Sequence, residues 1–415
     1  MESTLLKIAG PPPETASPIG HLEHFIPLRK AELIDSLCEL PELSPADVDG
    51  FRRLCQLLDA TLHFEYHSQL EDLKTAYAPF DPDSDTQSLI PPSAPRRETQ
   101  LDHLFDRFNW LLERANFERL SKADLELALD AVSDHGLSLK VDFDFFDRLE
   151  MYSRGEIMRS AQRRSWKNFY RREVIQIPVF QRLVIIFRLR EGRRSTCKLD
   201  TQDVFIKLFK DIPRMDLEML LPGTQVQMSL KDRIKIIMPT VSGLCVSAYK
   251  AIKGALLAAA AGIYGILAVL GVTVGYGVRS FHGYLQTKQK YQLNLTESLY
   301  YQNLDNNAGV VTRLLDEAEE QENREAVLAY FFLSQYADAR GRTQEDLDRQ
   351  IEQYLAKLLG RPIDFEVDDA LAKLLRLGLA IKSVTGRYHA TPLVDALEKL
   401  DYTWDNYFTY NKAAA

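Results

Sequence analysis

One uncharged segment constrains this chain more than any other feature of its sequence. Between Lys253 and Arg279 run 25 residues without a charged side chain, GALLAAAAGIYGILAVLGVTVGYGV. As a helix, this segment would be about 37 Å long, which exceeds the roughly 30 Å hydrocarbon core of a bilayer. The sequence therefore predicts a membrane span here, and a fully buried helix of a large core is the alternative.

A second apolar stretch, Ile236 to Tyr249, precedes this segment and is followed by Lys250 and Lys253. It is too short to cross a bilayer unless these lysines snorkel to the interface. Basic residues flank the region on both outer sides, namely Lys231, Arg233 and Lys235 before it and Arg279, Lys288 and Lys290 after it. Positive charge at both ends predicts a transmembrane helical hairpin at 233–290 in a multi-pass inner-membrane protein with cytoplasmic soluble domains. A single span is the alternative.

Small residues recur at four-residue spacing within the predicted hairpin, as at Gly271 and Gly275. Such spacing lets two helix backbones approach closely in lipid. We therefore predict that these glycines pack the hairpin on itself. Homo-oligomerisation through the same glycines is the alternative.

The residues before the hairpin divide into two predicted domains. Residues 1–95 form a helical N-terminal region, with helical apolar spacing up to about Tyr77 and a Pro-rich linker, QSLIPPSAPRRE, at its end. Residues 96–232 begin with helical spacing and continue with alternating, β-branched runs such as PVFQRLVIIFRLRE. This change of period predicts an α+β domain with a largely antiparallel sheet.

A basic, aromatic stretch lies inside the predicted α+β domain. Six Lys and Arg residues fall between Arg159 and Arg172, interleaved with Trp166, Phe169 and Tyr170. This composition suits anionic lipid headgroups. The candidate headgroup contacts are Arg163, Arg164, Arg171 and Arg172, and a solvated helix face is the alternative.

The C-terminal residues 291–415 carry the acidity of the chain. They contain 13 Lys and Arg against 21 Asp and Glu, whereas the preceding residues are balanced. Predicted helices at 322–337, 343–359 and 365–377, then a hairpin turning at Thr385 and Gly386, follow a winged-helix order. Acidic residues near the start of the third helix would repel phosphates, so we expect a protein partner and no nucleic acid.

The stretch LFKDIPRMDLEMLLPG, at 208–223, is the candidate turn motif before the hairpin. Its named residues are Asp211, Pro213, Asp216 and Glu218. Proline and capping acids explain it as a turn followed by a short helix. Catalytic carboxylates are the alternative, although no nucleophile or phosphate-binding glycine loop lies near them in sequence.

The cysteines Cys38, Cys55, Cys197 and Cys245 have no CxxC spacing, which argues against both a disulfide framework and a zinc ribbon. The sequence predicts no metal and no cofactor. It also shows no complete catalytic constellation, so enzymatic activity is not expected.

Several motifs resemble those of an uncharacterised family of membrane proteins that includes transmembrane protein 143. They are, in order, EHFIPLRKAEL, ANFERLS, YSRG, FKDIPRMDLEMLLPG, MSLKDRIKI, LYYQNLDNNAG and EEQENREAVLAYFFL. The resemblance implies two transmembrane helices, although Lys250 and Lys253 depart from the pattern. It implies no reaction and no catalytic residue.

Together these observations predict an α+β membrane protein. Its parts are a helical N-terminal region, an antiparallel α+β domain, a transmembrane helical hairpin and a C-terminal winged-helix-like domain. Its expected role is a membrane-anchored scaffold or protein-interaction module, with the lipid bilayer and an unknown protein as partners. A membrane-bound enzyme using the acids of the turn motif and a membrane-tethered winged-helix regulator are the alternatives.

Overall fold

The structure, a computed structural model, describes twelve stretches of the chain. These are residues 7–8, 23–86, 89, 94–121, 137–140, 143–164, 172–190, 200–214, 217–222, 225–228, 300–336 and 340–408. Within them lie eight α-helices and an antiparallel sheet, which confirms the α+β class.

The helices are α1 (Lys30–Cys38), α2 (Val48–Tyr77), α3 (Ala94–Arg114), α4 (Leu217–Leu220), α5 (Ala308–Tyr336), α6 (Gln344–Leu359), α7 (Val367–Arg376) and α8 (Leu393–Asp405). The strands are β1 (Lys7–Ile8), β2 (Glu118–Arg119), β3 (Leu137–Lys140), β4 (Phe146–Arg164), β5 (Arg172–Leu189), β6 (Val204–Pro213), β7 (Gln225–Met228), β8 (Asn303–Asn306), β9 (Ala380–Lys382) and β10 (Tyr388–Ala390).

The main sheet has the strand order β1-β4-β5-β6-β8, and β2 pairs with β4 at one side. All these pairings are antiparallel. Strands β3 and β7 form a separate pair, as do β9 and β10. The long strands β4 and β5 therefore organise the sheet, and β6 connects them to the strand that leads into α5.

Alternating side chains give the main sheet two apolar faces. On β6, Val204, Ile206 and Leu208 belong to the helix-side core, which the sheet shares with α2, α3 and α5. Phe205 and Phe209 point the other way, into the opposite core, which includes α4. The period of two typical of a strand thus produces two separate layers of packing from one sequence run.

A third, helical core joins the two ends of the described chain. The first half of α2 and all of α1 pack there against the second half of α5 and against α6, α7 and α8. The β9–β10 hairpin follows α7, and Arg342 makes a bridge to Tyr388 beside it. Helix α2 therefore contributes to two cores, with its later residues, such as Tyr77, in the helix-side core.

No helix in the described stretches is both long and apolar enough to cross a membrane. The two longest, α2 and α5, carry charged side chains along their length, including the run Glu322, Arg324 and Glu325 in α5. This finding contradicts the prediction of a multi-pass inner-membrane protein with cytoplasmic domains. The predicted hairpin at 233–290, with Gly271 and Gly275, lies outside the described residues.

The β4–β5 pair extends past the end of β6, and β1 pairs with β4 in this extension, at Ala161 and Gln162. β6 accompanies β5 only from Val179 onward, whereas β4 and β5 remain paired as far as Arg164 and Arg172. Arg163 and Arg164 thus lie at the end of a strand, so the helix-face interpretation of these two residues is wrong. Arg171 lies outside the described residues, and contact with headgroups stays a prediction.

Asp211 marks an irregularity in β6. Its φ of 55° lies in the left-handed region, which few residues other than glycine, Asn and Asp adopt without strain. Because of this kink, Phe209 and Ile212 both reach the opposite core although they are three residues apart. Asp211 Oδ1 also accepts a hydrogen bond from Arg159 Nη2 at 3.0 Å. Asp211 is therefore a backbone-shaping residue of the sheet.

Substituting Asp211 tests this role. Asp211→Val should lower the free energy of unfolding by about 1–3 kcal/mol, because a β-branched side chain is strained at positive φ. Asp211→Gly loses the same contact with Arg159 but fits the backbone, so it should be clearly more stable than the valine variant in urea unfolding. Equal losses for valine and glycine would mean that the carboxylate, not the backbone, matters here.

Candidate functional site

The middle of α5 carries five consecutive polar residues that are all buried. They are Gln321, Glu322, Asn323, Arg324 and Glu325, each no more than 3% exposed. Five residues span more than one turn of 3.6 residues, so this part of the helix is surrounded on all sides. Buried polar groups need partners, and the surrounding elements supply them.

Glu322 is the centre of an ion-pair cluster between three helices. Its carboxylate contacts Lys373 of α7 and accepts a hydrogen bond from Arg114 Nη1 of α3 at 2.5 Å. Arg114 Nη1 also reaches Asp369 Oδ2 of α7 at 2.9 Å. Burial alone would raise the pKa of Glu322, but Lys373 and Arg114 together hold that pKa below its ordinary value.

Glu325 lies one turn further along α5, on the other side of Lys373. Lys373 Nζ is 3.7 Å from Glu325 Oε2, and Gln321 Nε2 donates to Glu325 Oε1 at 2.8 Å. Burial raises the pKa of Glu325 to about 7, because Lys373 offsets only part of the cost of desolvation and the Glu322 charge adds to it. Two acids thus share one lysine, and Glu325 is the one that takes up a proton near neutral pH.

Gln321 and Arg324 fasten the N-terminal segment 23–30 to α5. Gln321 Oε1 accepts a hydrogen bond from the backbone N–H of Ile26 at 3.1 Å, and Arg324 Nη1 donates to the carbonyl of Leu28 at 2.5 Å. Asp59 of α2 continues the set, since it accepts from Asn323 Nδ2 at 3.1 Å and pairs with Lys30. Segment 23–30 therefore gains its backbone partners from side chains of α5 and, at Glu23, from the backbone N–H of Asp364, instead of from a sheet.

Phe25, in the same segment, lies between two guanidinium groups. Arg154 of β4 lies over its ring at 4.0 Å from the centroid, and Arg324 lies at 5.4 Å. Arg154 also covers the ring of Phe117 at 4.6 Å. Cations over aromatic faces are stabilised by the ring quadrupole, most strongly where water is excluded.

Arg154 is the link between this helical site and the sheet. Its Nη2 donates to Glu317 Oε2 of α5 at 2.7 Å, and its Nη1 donates to the carbonyl of Ala115 at 3.1 Å. Burial lowers the pKa of Arg154 and Glu317 counters this. The next residue, Gly155, has a φ of 71°, and a Cβ there would meet the Gln181 side chain at 2.5 Å. Glycine at this position lets β4 present Arg154 inward.

The network of Glu322, Glu325, Lys373 and Arg154 is suited to coupling distant segments. These four side chains are almost entirely buried. Lys373 contacts both acids, whereas Arg154 pairs with Glu317 of the same helix. Within the described stretches, no group of three His, Cys, Asp or Glu side chains is arranged to hold a metal ion. What the network can do chemically is hold one proton near neutral pH and fix four distant segments to one another.

Of the predicted turn-motif residues, the structure describes the side chains of Asp211 and Pro213. Asp211 is paired with Arg159, and Pro213 is buried at the end of β6. Asp216 lies outside the described residues, and Glu218 is in α4, where only its backbone is described. The catalytic interpretation of these acids therefore gains no supporting geometry.

The residues that build the network were present in the motifs but were not recognised as a site. EHFIPLRKAEL supplies segment 23–30 and Phe25, ANFERLS supplies Ala115 and Phe117, YSRG supplies Arg154, and EEQENREAVLAYFFL supplies the buried run of α5. The available signal was the run QENRE directly before AVLAYFFL. The segment AVLAYFFL is apolar around the whole helix, which indicates burial on all sides. This burial extends one helical turn back, to the QENRE run.

Comparison with protein-family models gives a partial match. Residues 180–309 match the model of a family described as a protein of unknown function, DUF3754. The match covers β5 from Phe180 onward, β6, α4, β7, β8 and the first two residues of α5. No solved structure matches the chain. The comparison confirms the presence of a domain of unknown function and gives no link to membranes or to transmembrane protein 143.

Removing Lys373 tests whether the ion-pair cluster stabilises the fold. Lys373→Met removes the cation that the two buried acids share and leaves Glu325 without an ion-pair partner, so we expect the free energy of unfolding to fall by about 3–5 kcal/mol. Lys357→Met removes an exposed lysine of α6 and should change it by less than about 0.5 kcal/mol. Urea unfolding measures both, and equal effects would contradict a stabilising role for Lys373.

The raised pKa of Glu325 predicts a pH dependence of stability. The folded chain holds this proton up to about pH 7, whereas an unfolded Glu releases it near its ordinary pKa of about 4.3. This contribution to stability is therefore complete below the unfolded pKa and is lost as pH rises through 7. Glu325→Gln, which cannot titrate, should lose less stability than the wild type between pH 5 and pH 8, by on the order of 2 kcal/mol.

Glu398→Gln, an exposed acid of α8, serves as the control for this pH series. Its unfolding free energy should follow the wild-type profile at every pH. Parallel profiles for Glu325→Gln and the wild type would show that Glu325 does not carry the proton.

Proposed function

We propose that the protein is a non-catalytic interaction scaffold whose C-terminal, winged-helix-like part binds a basic segment of a partner protein. The observation that carries the proposal is how the cations of α7 are paired. In the winged-helix order this is the third helix, the one that would enter a DNA groove. Here the cations of α7 form ion pairs with acids of the same chain.

Both cations of α7 are paired inside the molecule. Lys373 is buried against Glu322 and Glu325 of α5. Arg376 makes two contacts with the Glu65 carboxylate of α2, at 2.6 and 2.9 Å. Neither cation is available to neutralise a phosphate, which supports a protein partner over a nucleic acid.

Acidic side chains dominate the neighbouring surface of α6 and of the segment before α7. Asp348 lies close to Glu352, Asp364 and Asp368, and burial together with these charges raises the pKa of Asp348 to about 6. Within the described part of the chain, no lysine or arginine forms an ion pair with any of these four acids. A basic segment would relieve their mutual repulsion, and such complementarity guides partner choice and association rate.

The enzyme alternative has less support. Of its acids, Asp211 shapes a strand and is held by Arg159. The resemblance to the family that includes transmembrane protein 143 remains part of this proposal on the quoted motifs alone, and that family implies no reaction.

Binding of a lysine-rich peptide by the full chain tests the proposal. The variant Asp348→Asn/Glu352→Gln/Asp368→Asn should bind this peptide several-fold more weakly than the wild type, with a difference that shrinks at high salt. Isothermal titration calorimetry in low and high salt measures this.

The control variant Asp395→Asn/Glu398→Gln/Asp401→Asn removes the same charge from exposed positions of α8. It should bind the peptide like the wild type. Equal weakening of peptide binding in both variants would show that net charge alone causes the effect, and this would refute a specific acidic surface. Tight binding of duplex DNA at physiological salt would favour the regulator alternative instead.

A further inference from the structure

We infer that a row of cations across the main sheet forms a binding site for a small phosphate-bearing anion. The row consists of Arg154 on β4, Arg182 on β5 and Lys210 on β6. It lies past the end of the helix-side core, where the sheet changes face. The two outer members, Arg182 and Lys210, would hold the anion.

The strand register places these three residues side by side. Arg154 is the direct partner of Arg182, and Arg182 is the direct partner of Lys210. Directly opposite residues of an antiparallel pair have their side chains on the same face, with Cβ atoms about 5 Å apart. The row lies where the sheet changes face: Tyr152, Val184 and Leu208 before it belong to the helix-side core, whereas Phe180 and Ile212 beyond it belong to the opposite core. Arg154 contacts Glu317 of α5, which places this member of the row on the helix side.

Among the residues that the structure describes, only the first member of the row has an ion-pair partner. Arg154 has Glu317 and two aromatic rings as partners. Arg182 donates from Nη1 to the carbonyl of Gln181 at 2.9 Å, and its Nε is buried without a hydrogen-bond partner. Lys210 forms no ion pair among the described residues.

The acid nearest to Lys210 in sequence does not compensate it. Asp211 points its Oδ1 to Arg159, and its carbonyl accepts from Gln302 Nε2 at 3.1 Å. Like charges directly opposite each other destabilise a sheet. Adjacent uncompensated cations on two neighbouring strands therefore need an anion from outside the described chain.

A phosphate group fits these cations by charge and by geometry. It carries about two negative charges near neutral pH, and a guanidinium donates to its oxygens as a planar fork while a lysine adds a point charge. Arg182 and Lys210 are half-buried, so a small group can reach them and is partly shielded from water. The phosphate can belong to a soluble ligand or to a lipid headgroup, because both present the same anionic group to the two cations.

The experiment uses the full chain with two probes, inorganic pyrophosphate in calorimetry and phosphatidylcholine vesicles containing phosphatidic acid in sedimentation. We expect the wild type to bind at least one probe at physiological salt. Arg182→Gln/Lys210→Gln should weaken that binding at least about tenfold, because each lost charge-assisted hydrogen bond costs about that factor. Binding of pyrophosphate indicates a soluble ligand, and binding of vesicles alone indicates a headgroup.

The matched control is Arg190→Gln/Lys357→Gln, which removes the same charge from two exposed residues. It should bind like the wild type. Absence of wild-type binding to both probes, or equal weakening in the two double variants, overturns the inference. Without anion, the melting temperature of Arg182→Gln/Lys210→Gln should equal or exceed that of the wild type. A melting temperature several degrees lower would show that these cations are already compensated, which also overturns it.

Discussion

The burial of five polar residues in the middle of α5 is the constraint on which the rest of the structure depends. Each of them would destabilise the fold if it lost its partners, since an unpaired buried polar group costs about 1–3 kcal/mol and a charge costs more. Their partners come from α2, α3, α7 and segment 23–30. These elements cannot take other positions without exposing or orphaning the run, so the network specifies how they are arranged.

The sheet is connected to this arrangement through Arg154. Its contacts with Glu317, Ala115 and Phe25 join β4 to α5, to the end of α3 and to the N-terminal segment at one point. Apolar packing between the sheet and helices α2, α3 and α5 buries apolar surface area, but it tolerates small shifts of the elements. The directional contacts of Arg154 are not, because guanidinium hydrogen bonds and ring contacts have defined geometry. Arg154 therefore sets the position of the sheet relative to the helices.

Periodicity in the sequence predicted part of the local structure. The alternating run PVFQRLVIIFRLRE is β5, and the C-terminal helices begin and end close to their predicted limits, with α6 at Gln344–Leu359 and α7 at Val367–Arg376. Helix α5 was predicted to begin at 322 but begins at Ala308. The site was not predictable in the same way, because it joins residues some 295 positions apart, such as Ile26 and Gln321. No local pattern encodes such a contact, and a run of charges ordinarily indicates solvent.

The long sequence separation between segment 23–30 and α5 also affects how the chain assembles. Segment 23–30 has no strand or helix of its own before Lys30, and its backbone hydrogen-bonds to the side chains of Gln321 and Arg324 and to the backbone N–H of Asp364. Those two side chains hold defined positions only when Glu322 and Glu325 have Lys373, which requires α7 to be packed on α5. Closing a loop of this length costs entropy before any contact compensates it. Docking of the N-terminal segment and packing of the C-terminal helices are therefore coupled, because both complete the same buried network.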